Sequence, residues 1–193
     1  MHITVYGASG AHLAAEYYAA AQRFGGLLAR AGHTLVFGGG QEGLMGACAR
    51  GVSAEGGEIV GVAPRFFDEP GILYPHCSRF VYTETMAQRK TEMEALADAF
   101  VVLPGGIGTF EEFFETLTLK QLGRHQKPIV LLNTLDYYDD LVSLLRKAVE
   151  GRFLSRGCLE LFSLCREPEE ILPAIENARS LSGGIHRLED YHR

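Results

Sequence analysis

The densest chemistry in this sequence lies in Leu103-Pro104-Gly105-Gly106-Ile107-Gly108-Thr109-Phe110-Glu111-Glu112, where three glycines run into a hydroxyl and two carboxylates. Glycines let a backbone approach an anion closely. A helix beginning near Thr109 would add unpaired amide N–H groups and the positive end of its dipole, a seat for one phosphate. Glu111 and Glu112 would repel that phosphate, since like charges about 4 Å apart cost about 1 kcal/mol in water and more in a cleft. Cations must therefore stand nearby. Two readings of Glu112 are open: chemistry at the phosphate-bearing end, or a capping box in which Thr109-x-x-Glu112 closes the helix start. The i, i+3, i+4, i+7 spacing of Phe110, Phe113, Phe114 and Leu117 predicts the face buried against a sheet, with Glu112 projecting away from it.

The cations are expected from Thr85-Met86-Ala87-Gln88-Arg89-Lys90-Thr91-Glu92-Met93, which opens as a second capping box, Thr85-x-x-Gln88. Met86, Met93, Leu96 and Ala97 share one helical face. At 100° per residue Lys90 falls within that stripe and Arg89 on its border, although charged residues belong on the opposite side. Such a local violation points to a site. The alternative is that both aliphatic stems snorkel past the edge of the core to water. Both helices follow strands, so Arg89 and Glu112 are expected to face one cleft.

Three further loops bear on that cleft. Gly38-Gly39-Gly40-Gln41-Glu42-Gly43 satisfies GxGxxG, but the next strand, IVGVAP, ends in Ala63 and Pro64 rather than in the acid that holds a dinucleotide ribose. No Lys-Ser or Lys-Thr follows the glycines, so a P-loop is absent as well. The segment is either a tight turn or a direct ligand contact through Gly39 and Gly40. Gly7-Ala8-Ser9-Gly10 reads as a simple turn able to add amides or the Ser9 hydroxyl. The stretch from Pro64 to Pro75, PRFFDEPGILYP, is too irregular for a strand or helix and reads as a lid, with Asp68 and Glu69 as candidates for ribose hydroxyls.

What must position these loops is an alternation of strands and helices. Residues 2–6, 33–37, 59–63, 80–82, 99–103 and 129–132 are β-rich runs. Leu13 to Ala31 suits a helix, as do Asp139 to Glu150 and Pro168 to Arg179. Unalternating Val, Ile and Leu runs imply strands covered on both faces. The expectation is an α/β, Rossmann-like doubly wound parallel sheet flanked by helices. Such sheets bind ligands beyond the carboxyl ends of the strands. A single domain over residues 1–179 and a fraying tail over 180–193 complete the reading.

Composition narrows the partners. With 193 residues, 47% hydrophobic, the chain suits one domain with a continuous core, and its net charge of −6 offers no basic field for nucleic acid. No window reaches the length of a membrane span and the N-terminus lacks a signal-type core, which predicts a cytoplasmic protein. Cys48, Cys77, Cys158 and Cys165 stand singly and the seven histidines are scattered, so neither a disulfide framework nor a metal site is expected.

Taken in order, GGGQEGLMG at 38–46, QRK at 88–90 and PGGIGTFEE at 104–112 resemble the LOG ("lonely guy") family, cytokinin riboside 5′-monophosphate phosphoribohydrolases sometimes labelled lysine-decarboxylase-like. The similarity runs from about residue 2 to residue 176. It implies hydrolysis of the N-glycosidic bond of a nucleoside 5′-monophosphate, the cytokinin riboside monophosphate or AMP, to free base and ribose 5-phosphate, by a homodimer without a cofactor. By the family motif, Arg89 and Glu112 are the catalytic pair, and Lys90, Gly105, Gly106, Ile107, Gly108, Thr109, Phe110, Glu111 and Thr118 contact the nucleotide. Glu69 matches a substrate-binding Glu. Where many relatives have Asp-Met-His, this chain has Thr85-Met86-Ala87, a departure that bears on base preference. The chief rival is a nucleotide carrier or sensor that binds without cutting. A pyridoxal-phosphate decarboxylase would need a Schiff-base lysine and its partners, and no segment singles them out.

Overall fold

The structure is a computed structural model and describes residues 1–181; the expected tail over 180–193 falls almost wholly outside them. Strands β1 (His2–Tyr6), β2 (Thr34–Phe37), β3 (Ile59–Pro64), β4 (Arg79–Thr83), β5 (Ala99–Val102), β6 (Ile129–Leu132) and β7 (Ser163–Cys165) form one sheet in the order β4-β3-β2-β1-β5-β6-β7. Every pairing is parallel. Helices α1 (Ala15–Arg30), α2 (Gly43–Ala54), α3 (Met86–Leu96), α4 (Ile107–Gln121), α5 (Asp139–Glu150) and α6 (Ile171–Leu181) connect or close it. The order reverses at β1, which pairs with both β2 and β5, and the fold is the α/β Rossmann-like arrangement expected.

Successive strand residues serve opposite sides. Ile3, Val5, Leu35, Phe37, Val101 and Val130 pack with Phe24 and Leu28 of α1, Leu44 and Val52 of α2, and Ile171 and Ile175 of α6. Tyr6, Val36, Val62, Phe100 and Leu131 pack with Met93 of α3 and Phe113 and Leu117 of α4. Helices α1 and α2 approach through glycine: a Cβ on Gly51 would lie 2.0 Å from the Gln22 carbonyl oxygen, and one on Gly25 would lie 2.1 Å from that of Cys48.

Boundaries differ from expectation in three places. β7, with only three residues and an exposed Leu164, has no apolar run to announce it. The closing segment at Pro168 begins as a short 3-10 turn, and α6 starts at Ile171. The 64–75 stretch is more ordered than its composition predicts. Pro64 ends β3, Arg65–Phe67 form a 3-10 turn, and Leu73 makes an antiparallel bridge to Gly40.

Candidate active site

At the switch point the loops after β1, β2 and β5 surround a cleft of about 780 Å³. Gly7, Ala8, Ser9 and Gly10 line it from the first loop, Gly38, Gly40, Gln41 and Glu42 from the second, and Gly106 to Thr109 from the third. Phe67, Gly71, Ile72 and Leu73 of the β3–β4 connection cover it, and Leu13, Met45 and Met86 add apolar wall. The loops are tied together. Ala8 N–H donates to the Pro104 carbonyl at 3.0 Å, and Leu44 N–H donates to the Ala8 carbonyl at 2.8 Å. Gly43, at φ +62, is the turn residue of the second loop, where a Cβ would meet the Ala8 carbonyl oxygen at 2.2 Å.

The start of α4 corrects the sequence reading. Its N-cap is Gly106, so the helix begins at Ile107 and Thr109 lies in the third helical position. A capping box from Thr109 to Glu112 is therefore not formed, and no side chain caps this helix. The first i→i−4 bond is Phe110 N–H to the Gly106 carbonyl at 3.0 Å. The amides of Ile107, Gly108 and Thr109 precede it on the cleft wall.

The buried face of α4 is also rotated from the aromatic stripe. Thr109, Glu112, Phe113, Thr116, Leu117 and Lys120 are buried, whereas Phe114 is 38% exposed. Glu112 thus points inward, because Arg89 waits there. The Arg89 Nη1 to Glu112 Oε1 distance is 2.8 Å, and both residues are more than nine-tenths buried. On α3 the expected order is reversed: Arg89 is buried and Lys90 only half-buried, while Met86 is exposed at the cleft mouth. The Thr85–Gln88 capping box that starts α3 is present. Burial pushes the Glu112 carboxyl above its ordinary value, opposed by the charge and hydrogen bond of Arg89. The compensation demanded by the two acids is complete, since Lys90 pairs with Glu111 and, at 2.9 Å, with Glu115.

The other named residues divide clearly. Ser9, Gly40, Gly106, Ile107, Gly108, Thr109 and Glu111 stand on the cleft wall with Arg89 and Glu112. Gly39 does not: at φ +80 it lies against the Phe80 ring, and its carbonyl accepts the Tyr74 N–H at 2.8 Å. Gly105 sits behind the wall, where a Cβ would collide with Thr109. Phe110 is half-buried, Thr118 is exposed further along α4, and Lys90 is off the wall, paired with Glu111 and Glu115. Glu69 and Asp68 are exposed on the covering segment and off the wall.

Sequence patterns named Gly38 only as part of a glycine turn and missed what it does. A Cβ on Gly38 would lie 2.1 Å from Arg89 Nη2, so that glycine is the space into which the guanidinium fits. Leu13, expected as the start of the first helix, lies instead in the loop between β1 and α1, and Met45, within GGGQEGLMG, lies in the first turn of α2; the sequence patterns name neither as a wall residue. Tyr137 and Tyr138, whose hydroxyls bond the carbonyls of Gly105 and Leu103, follow β6, and the rule that the loops after strands carry function would have reached them.

A family model described as "possible lysine decarboxylase" matches residues 45–175. The chain is 39% identical over 84% of its length to the cytokinin riboside 5′-monophosphate phosphoribohydrolase of Rhodococcoides fascians, covering 82% of that protein. It is 37% identical over 83% of its length to the Arabidopsis thaliana enzyme of the same name, LOG2, covering 75% of it. Among solved structures, the molybdenum cofactor carrier protein of Chlamydomonas reinhardtii superposes with a TM-score of 0.70 at 22% identity, covering 93% of this chain and 98% of that one, which shows a shared fold. On the family model and relatives of this identity and coverage, the chain belongs to the LOG family of cytokinin riboside 5′-monophosphate phosphoribohydrolases, the group that also carries the lysine-decarboxylase label.

Proposed function

We propose that the chain hydrolyses the N-glycosidic bond of a nucleoside 5′-monophosphate, a cytokinin riboside monophosphate or AMP, to free base and ribose 5-phosphate. The observation that carries this reading is the buried Arg89–Glu112 contact on the wall of the cleft that the uncapped start of α4 also lines, in a chain of this family. The 5′-phosphate docks on the amides of Ile107, Gly108 and Thr109 at the positive end of α4, with the Ser9 hydroxyl beside them. Phosphate binding then fixes the ribose so that C1′ lies by Glu112, converting remote binding energy into placement.

Breaking the C1′–N bond passes through an oxocarbenium-like sugar, whose positive charge the Glu112 carboxylate stabilises. Water adds to C1′; its proton passes to Glu112 and finally to the departing base. Arg89 holds Glu112 ionised against its burial and offers its remaining donors to sugar or phosphate oxygens. Lys90 acts through Glu111, keeping that acid from opposing the phosphate. The apolar wall of Leu13, Met45, Phe67, Ile72, Leu73 and Met86 receives the base. A decarboxylase does not fit these residues. No lysine lines the cleft among the described residues, so no amine is placed there for a Schiff base.

The assembly we propose is a homodimer. Its support is α4, where Ile107 is 86% exposed at the cleft mouth, Phe114 is 38% exposed, and Thr118 is exposed and off the wall of its own cleft, a position that suits contact with a nucleotide in a second subunit. Glu69 belongs to the same proposal, as a ribose contact once the covering segment closes. Four free thiols, three of them buried, suit a reducing compartment, and we place the protein in the cytoplasm. Purified protein incubated with AMP, an N6-isoprenoid adenosine monophosphate and pyrimidine monophosphates should release free base and ribose 5-phosphate from at least one, as followed by chromatography. Intact nucleotide in every case sinks the hydrolase reading.

A further inference from the structure

The glycine turn that bears the phosphate amides has no side chains of its own to hold it. Two tyrosines supply the hold from behind. Tyr138 Oη donates to the Leu103 carbonyl at 2.7 Å, and Tyr137 Oη donates to the Gly105 carbonyl. A trans peptide is planar and aims its C=O and N–H in opposite directions. Fastening the Gly105 carbonyl to Tyr137 therefore turns the Gly106 N–H away from Tyr137, and Gly106 is a cleft-wall residue whereas Tyr137 is not. The preceding peptide is fixed in the same manner by the 3.0 Å bond from Ala8 N–H to the Pro104 carbonyl.

The tyrosines are themselves anchored. Buried Asn133 accepts Tyr138 N–H on Oδ1 at 2.6 Å and donates Nδ2 to Asp139 at 2.8 Å. Leu135 and Asp136 adopt φ of 53° and 57°, a left-handed reversal that is costly without glycine and that delivers the two rings beneath the turn. The Tyr137 ring stands edge-on to Tyr17 and to Tyr138, at centroid distances of 6.1 Å and 5.0 Å. We propose that Tyr137 is a positioning residue that preorganises the Gly105–Gly106 peptide for the phosphate of the substrate, with Tyr138 fixing the base of the same turn. Without the hydroxyl, the glycine pair would be ordered only on binding, at the expense of affinity. The inference rests on the reading that a phosphate docks at the start of α4.

Tyr137→Phe removes one oxygen and keeps both ring contacts. The native chain and this variant are compared for binding of ribose 5-phosphate and of adenosine by calorimetry, and for AMP hydrolysis. The expected result is roughly tenfold weaker ribose 5-phosphate binding and a KM for AMP raised by a similar factor, with kcat within about twofold and adenosine binding unchanged. Tyr138→Phe, one step further from the amides, should weaken ribose 5-phosphate by about threefold, and it serves if the first variant melts early. Unchanged ribose 5-phosphate affinity in both variants, or equal weakening of adenosine, overturns the positioning role while leaving hydrolysis by the native chain intact. A native chain that binds ribose 5-phosphate but cleaves no nucleotide ends the hydrolase reading, and the tenfold loss in Tyr137→Phe still upholds the clamp. A native chain that binds no ribose 5-phosphate overturns the clamp, and the hydrolase reading then stands or falls on product release alone.

Discussion

The two sides of the sheet are packed by different means. Against α1, α2 and α6 the filling is aliphatic and aromatic, and the helices close up through Gly25 and Gly51 until backbone touches backbone. Against α3 and α4 the filling is interrupted by Thr4, Arg89, Thr109, Glu112, Thr116 and Lys120; with Asn133 and Thr134 of the turn after β6, these are the buried polar residues among those described. Five of the six interruptions on that side have side-chain partners: beside the Arg89–Glu112 pair, Thr4 donates to the Met93 carbonyl at 3.1 Å, Thr116 to the Glu112 carbonyl at 2.9 Å and Lys120 to the Leu161 carbonyl at 2.8 Å. Burial without a carboxylate nevertheless pulls the Lys120 amine down to about 8. One layer is made for density and the other tolerates desolvated charge so that chemistry can happen at its upper edge.

The sharpest way to break this comparison is Glu112→Gln. Turnover should fall about 10³-fold while AMP binding is largely kept, because the amide preserves shape but cannot stabilise a cationic sugar. Calorimetry beside product assays checks the split, and surviving turnover would reassign Glu112 to a structural part. On the dense side, Gly51→Ala should cost about 3 kcal/mol of stability, since the new methyl must push against the Gln22 backbone. Urea unfolding measures it, with activity per folded molecule expected to hold.

Gly38→Ala tests the border between the layers. Its methyl would occupy the place of Arg89 Nη2, so kcat/KM should drop roughly 30-fold with a much smaller loss of stability than Gly51→Ala causes. A melt that shifts as far as that of Gly51→Ala would mean that Gly38 serves packing alone.

The gentlest test uses pH. Folded Glu112 holds its proton to higher pH than the unfolded chain, for which the ordinary value is 4.5. Between that value and its folded one the native state therefore binds more protons, and stability falls as pH rises through the window. Hydrolysis, which needs the carboxylate, rises through the same window. Glu112→Gln should flatten the stability slope, and urea melts from about pH 4 to pH 7 would show it; an unchanged slope assigns the titration elsewhere.

How much of this was legible in the sequence depended on whether a residue obeyed or broke a local rule. His2–Tyr6 and Asp139–Glu150 come out residue for residue, because a short β-rich run and a strongly amphipathic segment leave little choice. Arg89 was legible for the opposite reason, as a charge on the border of an apolar face, although the pattern set Lys90 deeper. On α4 the polar residues Thr109, Glu112 and Thr116 occupy the inner positions, which leaves Phe110 and Phe114 to advertise a stripe shifted off the true contact face. Gly38 was legible as a turn glycine, but its place beneath Arg89 was not. Its role depends on the course of a side chain more than fifty positions away, and no window of periodicity reaches that far.

The stretch linking β3 to β4 is the piece of backbone most cheaply displaced around the cleft. Gln41 N–H to the Ile72 carbonyl, Tyr74 N–H to the Gly39 carbonyl and the Gln41 side-chain amide to the Gly71 carbonyl fasten it to the second glycine loop, whereas β1, β2 and β5, whose loops surround the cleft, are paired along both edges. Neutral hydrogen bonds of this kind are each worth about 1 kcal/mol net. Room for a bulkier base is thus gained by unhooking this eave, with the Arg89–Glu112 floor of the cleft undisturbed, so changes in substrate range within this architecture should accumulate between Arg65 and Leu73 before they touch Arg89 or Glu112.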